Sequence, residues 1–304
     1  MKQMSTGFGL AVLGAFFITN TAFSDISFSW ATIGDAGNTA NNTGYGSVSY
    51  EYRISKYEVT NLQYVAFLNA KARNDTHNLY NAGMASIYGG ITRNGSSGAY
   101  TYDTVSGREN KPVVYVSFND SMRFVNWLNN GQGAGDSESG AYDISSGGAF
   151  PTRTANANYA VTNENEWVKA ACYKAGGLNS GYWSYGTGTE SIEPAQANYF
   201  VGGNGNTRQV GSYASNQYGV FDMVGNVWEW HEGIYADQYR GLKGGSFTVH
   251  GAMLLGASRD DYAAPDGRSN DFGFRIVSLV PAPNMLAYLI FAGSGAWSRR
   301  RKLI

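Results

Sequence analysis

The most informative part of the chain reads GVFDMVGNVWEW and runs from Gly219 to Trp230. It contains two carboxylates, Asp222 and Glu229, with Gly225 between them. Carboxylate oxygens are ligands that Ca²⁺ prefers, and a looped backbone can turn carbonyl oxygens toward the same ion. We therefore predict a structured turn that binds a cation, rather than a helix or a strand. A buried polar turn without an ion is the alternative that these residue types leave open.

Two tryptophans, Trp228 and Trp230, stand on either side of Glu229 in the sequence. Indoles bring a large apolar surface, and an apolar shell around a site lowers the local dielectric constant. We therefore predict that both rings cover the loop and strengthen its hold on a cation.

The composition indicates a loop-rich globular domain. The chain has 304 residues, a net charge of −1 and 15% charged residues, so no strong positive field favours nucleic acid or an acidic membrane surface. Its 40 glycines and 22 tyrosines against 6 prolines differ from the usage of helical proteins. The one cysteine, Cys172, excludes an intramolecular disulfide. Packing, hydrogen bonds or metal must then hold the loops.

The N-terminal residues 1–24 have the pattern of a secretory signal peptide. Lys2 precedes an apolar run from Phe8 to Ile18, and Ala22-Phe23-Ser24 forms a small-x-small cleavage site. We predict a signal peptide over residues 1–24, which exports the chain through the inner membrane. A single domain is predicted over residues 25–279.

Residues 280–304 have the pattern of a sorting and anchoring segment. Pro281-Ala282-Pro283 precedes a mostly apolar stretch from Met285 to Trp297, which is followed by Arg299-Arg300-Arg301-Lys302. Tilt and flanking residues extend this stretch toward the roughly 20 residues of a spanning helix, and the basic cluster favours the cytoplasmic side. The segment resembles the PEP-CTERM sorting signal of Gram-negative bacteria, which an exosortase processes, with Ala282 at the Glu position of that signal. A C-terminal tail of the domain is the alternative.

Hydrophobic periodicity and capping residues predict a few short elements between these ends. They are a strand at Tyr50–Tyr57, a helix from the cap Thr60 to Ala70, a buried strand at Val113–Val116, a helix at Asp120–Leu128 capped by Ser117 or Asn119, and a helix from Asn163 or Glu164 to Tyr173. Glycine-rich loops run from Gly131 to Gly148 and from Gly176 to Gly205. The sequence has no repeat of fixed period, which disfavours solenoids and propellers.

Seven segments carry a resemblance to a known family. They are YEVTNLQYVAFLNA (57–70), PVVYVSFNDSMRFVNWLNN (112–130), ENEWVKAA (164–171), ANYF (197–200), GVFDMVGNVWEW (219–230), KGGSF (243–247) and RSNDFGFRIV (268–277). In this order they resemble the formylglycine-generating enzyme (sulfatase-modifying factor) domain, roughly from Ser47 to Ser278. The resemblance implies an α+β fold that forms one loop-rich, C-type-lectin-like domain with little regular secondary structure.

The resemblance also implies two calcium ions. The first is held in the family by side chains at the positions of Asp222 and Glu229, and by backbone carbonyls at those of Gly225 and Val227. All four positions match the family pattern, and their oxygens suit Ca²⁺.

The second calcium site of the family begins at the position of Asn198, with the carbonyl of Tyr199 beside it. Its remaining ligands are expected from the loop Gly202–Thr207, where Asn204 or Asn206 replaces the acid of the family. Neutral amides offer the cation less charge than carboxylates do.

The oxidase chemistry of the family is not expected in this chain. That chemistry needs two cysteines shortly after the Gly-Gly-Ser motif, because soft thiolates bind Cu(I). Val249 and Leu254 occupy those positions, and neither side chain can bind copper. Cys172 lies in a predicted helix, where a lone cysteine is usually a small core residue. We therefore predict no formylglycine formation and no copper centre.

Other side chains are candidates for the groove of the lost oxidase site. His250 and His231 either line it or are structural, and their spacing with His77 does not indicate a three-histidine iron or zinc site. The Arg259-Asp260-Asp261 cluster, with Arg268 and Arg275, is expected to form a salt-bridged scaffold, or to bind a carboxylate. Trp183, beside Tyr182 and Tyr185, either forms an aromatic platform for a ligand or packs in the core.

Three functions from different classes remain. The first is an exported domain, tethered to the membrane or the cell surface, that binds calcium and a peptide or glycan ligand. The second is a metal-dependent oxidoreductase like the nonheme-iron relatives of the family. The third is a structural component of the extracellular matrix. The first is our hypothesis, and metal content and oxidase activity distinguish it from the second.

Overall fold

The computed structural model describes residues 25–145, 150–202, 205–251 and 261–279. The predicted signal peptide, the C-terminal anchor, Leu254 and Arg259 lie outside these residues. Within them the elements, in chain order, are β1 (Trp30–Ile33), β2 (Tyr52–Ser55), α1 (Asn61–Lys71), a 3₁₀ helix (Ala82–Ala85), β3 (Ile91–Asn94), β4 (Thr101–Thr104), α2 (Phe118–Asn129), β5 (Tyr159–Val161), α3 (Glu164–Cys172), β6 (Trp228–Tyr235), β7 (Tyr239–Lys243), β8 (Asp261–Ala263), β9 (Phe272–Gly273) and β10 (Ile276–Ser278). Short elements joined by long loops confirm the predicted α+β, loop-rich class.

Each of the three α-helices begins directly after an N-cap residue whose side chain forms a capping box. The capping boxes join Thr60 with Gln63, Ser117 with Asp120, and Asn163 with Glu166. In each box the cap side chain and the side chain three residues later satisfy backbone N–H groups that a helix start leaves open. Helix α2 begins at Phe118, before the predicted Asp120, because Ser117 is the cap. None of the described helices is long and apolar enough to cross a membrane.

Two four-stranded sheets and a hairpin surround the helices. One sheet has the order β1-β2-β10-β5, the other has the order β8-β7-β6-β9, and β3 pairs with β4. Strands β6 and β9 run parallel, while the other pairs are antiparallel. Helix α2 packs between α1 and the two sheets, and its Phe124 contacts the rings of Tyr64, Phe67, Trp127 and Phe274. This aromatic cluster is the centre of the core.

The strand predicted at Val113–Val116 does not form. The Val113 amide donates to the Val59 carbonyl, and the Tyr115 amide donates to the Ser269 carbonyl. Tyr115 has φ 61°, in the left-handed region that a strand cannot contain. Val113, Val114 and Val116 are buried, and Tyr115 is half-buried. The apolar run therefore predicts burial correctly, whereas its prediction of a strand is wrong.

Residues 219–230, which we call the signature stretch, form a turn element only in their first part. Asp222, Gly225 and Asn226 all have positive φ, at 57°, 74° and 61°, which bends the backbone back on itself. The final residues Trp228–Trp230 begin strand β6, so the prediction that the whole stretch avoids strand is wrong. Trp230 packs against Phe118 and Phe272 instead of covering the loop.

A buried ion pair joins the signature stretch to the rest of the fold. Arg275 Nε and Nη2 each donate to a carboxylate oxygen of Glu229 at 2.6 Å, and the Trp167 indole N–H donates to Glu229 Oε2 at 2.7 Å. Arg275 also donates to the carbonyls of Phe221 at 3.0 Å and Ser55 at 3.2 Å. The ionised side chains are 0% and 1% exposed, so each charge depends on the other for compensation.

We expect Arg275→Met to lower the free energy of unfolding by about 3–5 kcal/mol, because it leaves the Glu229 carboxylate buried and unpaired. The control is Lys174→Met, which removes the exposed ion pair with Glu190 and the contact with the Trp183 ring, and it should cost far less than Arg275→Met. Urea denaturation measures both values. The double variant Arg275→Met/Glu229→Gln should recover part of the loss, since the uncompensated charge is gone. Equal losses for Arg275→Met and the control would contradict the role of the pair.

Candidate functional site

Asp222 and Glu229 of the signature stretch are joined by a third buried acid, Glu58, which sequence reasoning missed. Burial raises the pKa of Asp222 to about 6, and the negative charge of Glu229 acts in the same direction. Burial, and then the charge of Asp222, raise the pKa of Glu58 well above its usual range. Arg275 opposes both shifts. Three carboxylates thus share one guanidinium in the interior, which leaves an excess of negative charge when all are ionised.

Glu58 is anchored on one oxygen only. Its Oε1 accepts a hydrogen bond from Asn226 Nδ2 at 2.9 Å, while its buried Oε2 has no hydrogen-bond partner among the described residues. The sequence signal for Glu58 was its place in YEVTN, between Tyr57 and the buried Val59, where a charged side chain is unusual.

The oxygens of the signature stretch retain capacity for a cation. Asp222 Oδ2 accepts one hydrogen bond, from the Gly211 amide at 2.6 Å, and Glu229 accepts three from Trp167 and Arg275. An ionised carboxylate has about four acceptor positions, so both groups have positions left. No three His, Cys, Asp or Glu side chains converge as metal ligands in the described ranges. A calcium ion here would depend on two carboxylates and on backbone carbonyls, and this donor set suits it.

Gly225 fixes the shape of this loop. A Cβ atom at Gly225 would lie 2.4 Å from the Asn198 carbonyl oxygen, so a larger residue cannot fit without moving backbone. The Gly225 amide donates to the Gly244 carbonyl, and the Asn226 amide donates to the Asn198 carbonyl. The signature loop, the segment of Asn198 and the Gly-Gly-Ser motif therefore pack backbone against backbone.

Asn198, the first ligand expected for the second calcium, is part of this frame. Its Nδ2 donates to the Asn206 carbonyl at 3.0 Å and to Asn226 Oδ1 at 3.1 Å. The Asn206 Nδ2 donates to the Ile87 carbonyl at 2.8 Å. These bonds use the amide nitrogens and leave the side-chain oxygen of Asn198 as its atom for a cation. Asn204, the other expected ligand, lies outside the described residues.

A cleft of about 510 Å³ opens beside Asn198. Its walls hold four aromatic rings and one charged side chain, Arg208, among the described residues. The lining residues that matter for binding are Asn198, Tyr199, Phe200, Arg208, Tyr213 and Phe247. Tyr88 stacks on Phe247 from behind, with ring centres 5.9 Å apart, which fixes that wall.

Val249 and Leu254 stand at the two cysteine positions of the family. The structure describes Val249, which lies next to a wall of this cleft. The Val249 carbonyl accepts the Phe200 amide at 2.9 Å, and its side chain packs against the small apolar cluster of Tyr185, Ala197 and Val224. Cys172 is buried in α3, and burial raises the pKa of its thiol to about 12, so it stays protonated.

The histidines do not come together. His231 is fully buried with its Nδ1 accepting the Gly233 amide at 3.1 Å, and burial, then Lys243, lowers its pKa well below the usual range. It is a neutral structural side chain away from the cleft lining. His250 is exposed and lies edge-on to Phe200, with ring centres 4.8 Å apart. His77 faces Glu138 at 3.5 Å.

The remaining candidates lie apart from the cleft lining. Trp183 is half-buried and stacks under the Lys174 ammonium, which lies 4.1 Å from its ring centre. Arg268 pairs with Asp120 and Arg275 pairs with Glu229, and neither pairs with Asp261. Asp260 lies outside the described residues, so a scaffold that includes the Arg259-Asp260-Asp261 cluster stays a prediction. Arg259 lies outside the described residues.

Comparison with known proteins identifies relatives of the whole domain. Residues 33–280 match the family model described as the sulfatase-modifying factor enzyme 1-like domain. The chain is 27% identical over 206 residues to the formylglycine-generating enzyme of Streptomyces coelicolor, covering 56% of this chain and 54% of the relative. It is 29% identical over 185 residues to the inactive Cα-formylglycine-generating enzyme 2 of Bos taurus, covering 55% and 50%. The chain thus spans about half the length of these relatives.

Solved structures share the fold. CarF superposes with a TM-score of 0.60 at 24% identity, covering 84% of this chain and 99% of CarF. PvdO from Pseudomonas aeruginosa superposes with a TM-score of 0.50 at 20% identity, covering 83% and 92%. The family model spans all three helices, the signature stretch, the cleft and every strand of both sheets except β1, of which it includes only Ile33. The chain therefore belongs to the FGE-sulfatase family, whose members carry the sulfatase-modifying factor enzyme 1-like domain.

Proposed function

We propose that this protein is an exported binding domain of its family, tethered to the membrane or the cell surface, that binds calcium and a peptide or glycan and lacks the thiol oxidase chemistry. The observation that carries the proposal is the contrast between two sites. The carboxylates Asp222 and Glu229 are retained, whereas Val249 and Leu254 replace the cysteine pair. The signal-peptide pattern of residues 1–24 and the anchoring pattern of residues 280–304 support the proposed export.

Calcium would serve this protein as a structural ion. Asp222 and Glu229 would hold it together with the carbonyls of Gly225 and Val227, and Asn198 with Tyr199 would begin a second site. Its positive charge would compensate buried carboxylates that a single Arg275 serves. The loop that it orders packs directly on the segment of Asn198, which forms a wall of the cleft. Calcium binding would thus hold the ligand site in shape.

We expect a chelator to lower the melting temperature of the purified protein by several degrees, because an ion that binds only the folded state stabilises it. Asp222→Ala should lower it similarly and should remove the response to chelator. Asp143→Ala, at an exposed carboxylate, is the control and should keep the response. Differential scanning calorimetry with added Ca²⁺ or excess chelator provides the measurement. A wild-type melting curve that excess chelator leaves unchanged argues against the site.

The calcium effect should depend on pH. The pKa of Asp222 in the folded protein is about 6, above the ~3.9 of an unfolded aspartate, so without calcium its contribution to stability is present below about pH 4 and is lost as the pH rises through 6. Calcium binds the ionised carboxylate. We therefore expect the rise in melting temperature on adding Ca²⁺ to be larger at about pH 7.5 than at about pH 5. Equal rises at both pH values would contradict the role of Asp222.

We expect no formylglycine on a cysteine-containing sulfatase peptide incubated with this protein and Cu(I), since no thiolate pair is available to bind the copper. The Streptomyces coelicolor relative serves as the positive control under the same conditions. Mass spectrometry detects the aldehyde by its mass. An aldehyde signal that depends on this protein would replace the binding function with an enzymatic one.

A further inference from the structure

The cleft beside Asn198 has an uneven distribution of charge. Arg208 is the one charged side chain in the described lining, and neither it nor Arg108 nor Lys111 forms an ion pair with an acid among the described residues. Burial lowers the pKa of Lys111, and the charges of Arg108 and Arg208 add to that shift, so the three cations share one positive region. In a chain of net charge −1, Arg208 thus adds its charge to the lining and has two further cations near it outside the lining.

Arg208 is positioned to present its guanidinium. Its backbone amide donates to Asn226 Oδ1 at 2.9 Å, which fixes the residue to the frame of the signature loop. The guanidinium lies 5.9 Å from the centre of the Tyr213 ring, another wall of the cleft, and the residue is exposed. A guanidinium with free donors pairs most strongly with a carboxylate, through two parallel hydrogen bonds.

The amide and Thr207 hydroxyl donors of the cleft are already bonded to the protein, which leaves the Asn198 side-chain oxygen and the hydroxyls of Tyr199 and Tyr213 as its other polar groups. The Asn198 and Asn206 amide nitrogens donate to protein oxygens, and the Thr207 hydroxyl donates to Asn206 Oδ1 at 3.2 Å. A glycan presents many hydroxyl groups and needs many free polar partners, because unpaired polar groups are costly on binding. The lining offers instead the rings of Tyr199, Phe200, Tyr213 and Phe247. These walls suit an apolar side chain better than a sugar.

We propose that the cleft binds a peptide segment in which a carboxylate side chain stands beside an aromatic or aliphatic one. The carboxylate pairs with Arg208, and the apolar side chain lies between Phe200, Tyr213 and Phe247. Glu193 acts on Tyr199 from outside the lining, and Arg208 is the one cation of the described lining, so the carboxylate binds beside Arg208. This inference rests on the proposed function, since it names the ligand of the same cleft.

A selection from a phage-displayed library of random heptapeptides on the full chain, with Ca²⁺ present, tests the assignment. Wild type should enrich peptides with Asp or Glu next to an aromatic or aliphatic residue. Arg208→Glu should shift the selection to Lys or Arg, whereas the control Arg73→Glu, at an exposed arginine outside the lining, should leave it unchanged. A specificity reversal of this kind cannot arise from partial unfolding, and circular dichroism checks that each variant is folded.

Titration calorimetry of one selected peptide then measures the pair directly. Changing its acidic residue to the amide should weaken binding to wild type by about tenfold and leave binding to Arg208→Ala unaffected. The selection could instead yield neutral peptides that bind Arg208→Glu as well as wild type but bind Tyr213→Ala weakly. That result would overturn the acidic assignment and keep the cleft as a ligand site. If hexagalacturonate binds more tightly than any peptide, the peptide assignment is also overturned, and the cleft is a ligand site for a glycan. Peptides that bind Tyr213→Ala as well as wild type, or no binding of either probe, would overturn the proposed function too.

Discussion

The buried pair of Glu229 and Arg275 is the interaction on which the rest of the structure depends. An ionised carboxylate in an apolar interior is costly unless other groups compensate it, and Glu229 has three donors within 2.7 Å. Those donors come from helix α3 and from the residue before β10, so one carboxylate joins three elements that are distant in the chain. The remaining donors of Arg275 bond the carbonyls of Phe221 and Ser55, which otherwise lie in irregular backbone or at a strand end.

Asparagine side chains hold the loops together through hydrogen bonds, as backbone hydrogen bonds hold the strands of a sheet together. Asn226 bonds Glu58, Asn198 and the Arg208 amide, while Asn216 bonds the carbonyl of Ala170 and amides of its own turn. An amide side chain both donates and accepts, so each of these residues cross-links two segments without adding charge. Asn226 thereby ties the Asn198 and Arg208 segments of the cleft wall to the signature stretch.

The parts of the fold that sequence predicted are those whose signals are local. The helices follow from capping boxes and from periodicity, which act within a few residues. The strand at Val113–Val116 was predicted wrongly, because the left-handed conformation of Tyr115 accompanies a hydrogen bond to Ser269, far along the chain. The site shows the same division. The residue types of the signature stretch identify Asp222 and Glu229 as candidate site residues from the sequence alone. Glu58 becomes a candidate only when the fold brings it near Asp222.

The backbone next to Val249 is held in place by contacts that do not depend on which side chain stands at this position. The Phe200 amide donates a hydrogen bond to the backbone carbonyl of Val249 and so holds the segment. The backbone carbonyl of any other residue at this position could accept the same bond. The side chain itself packs on Tyr185 and Val224, where an apolar group is at least as suitable as a thiol. Loss of the soft ligands therefore leaves the cleft wall in place. Arg208, the one charged side chain of the described lining, forms no ion pair with an acid among the described residues, so its charge is not used to hold this wall in place.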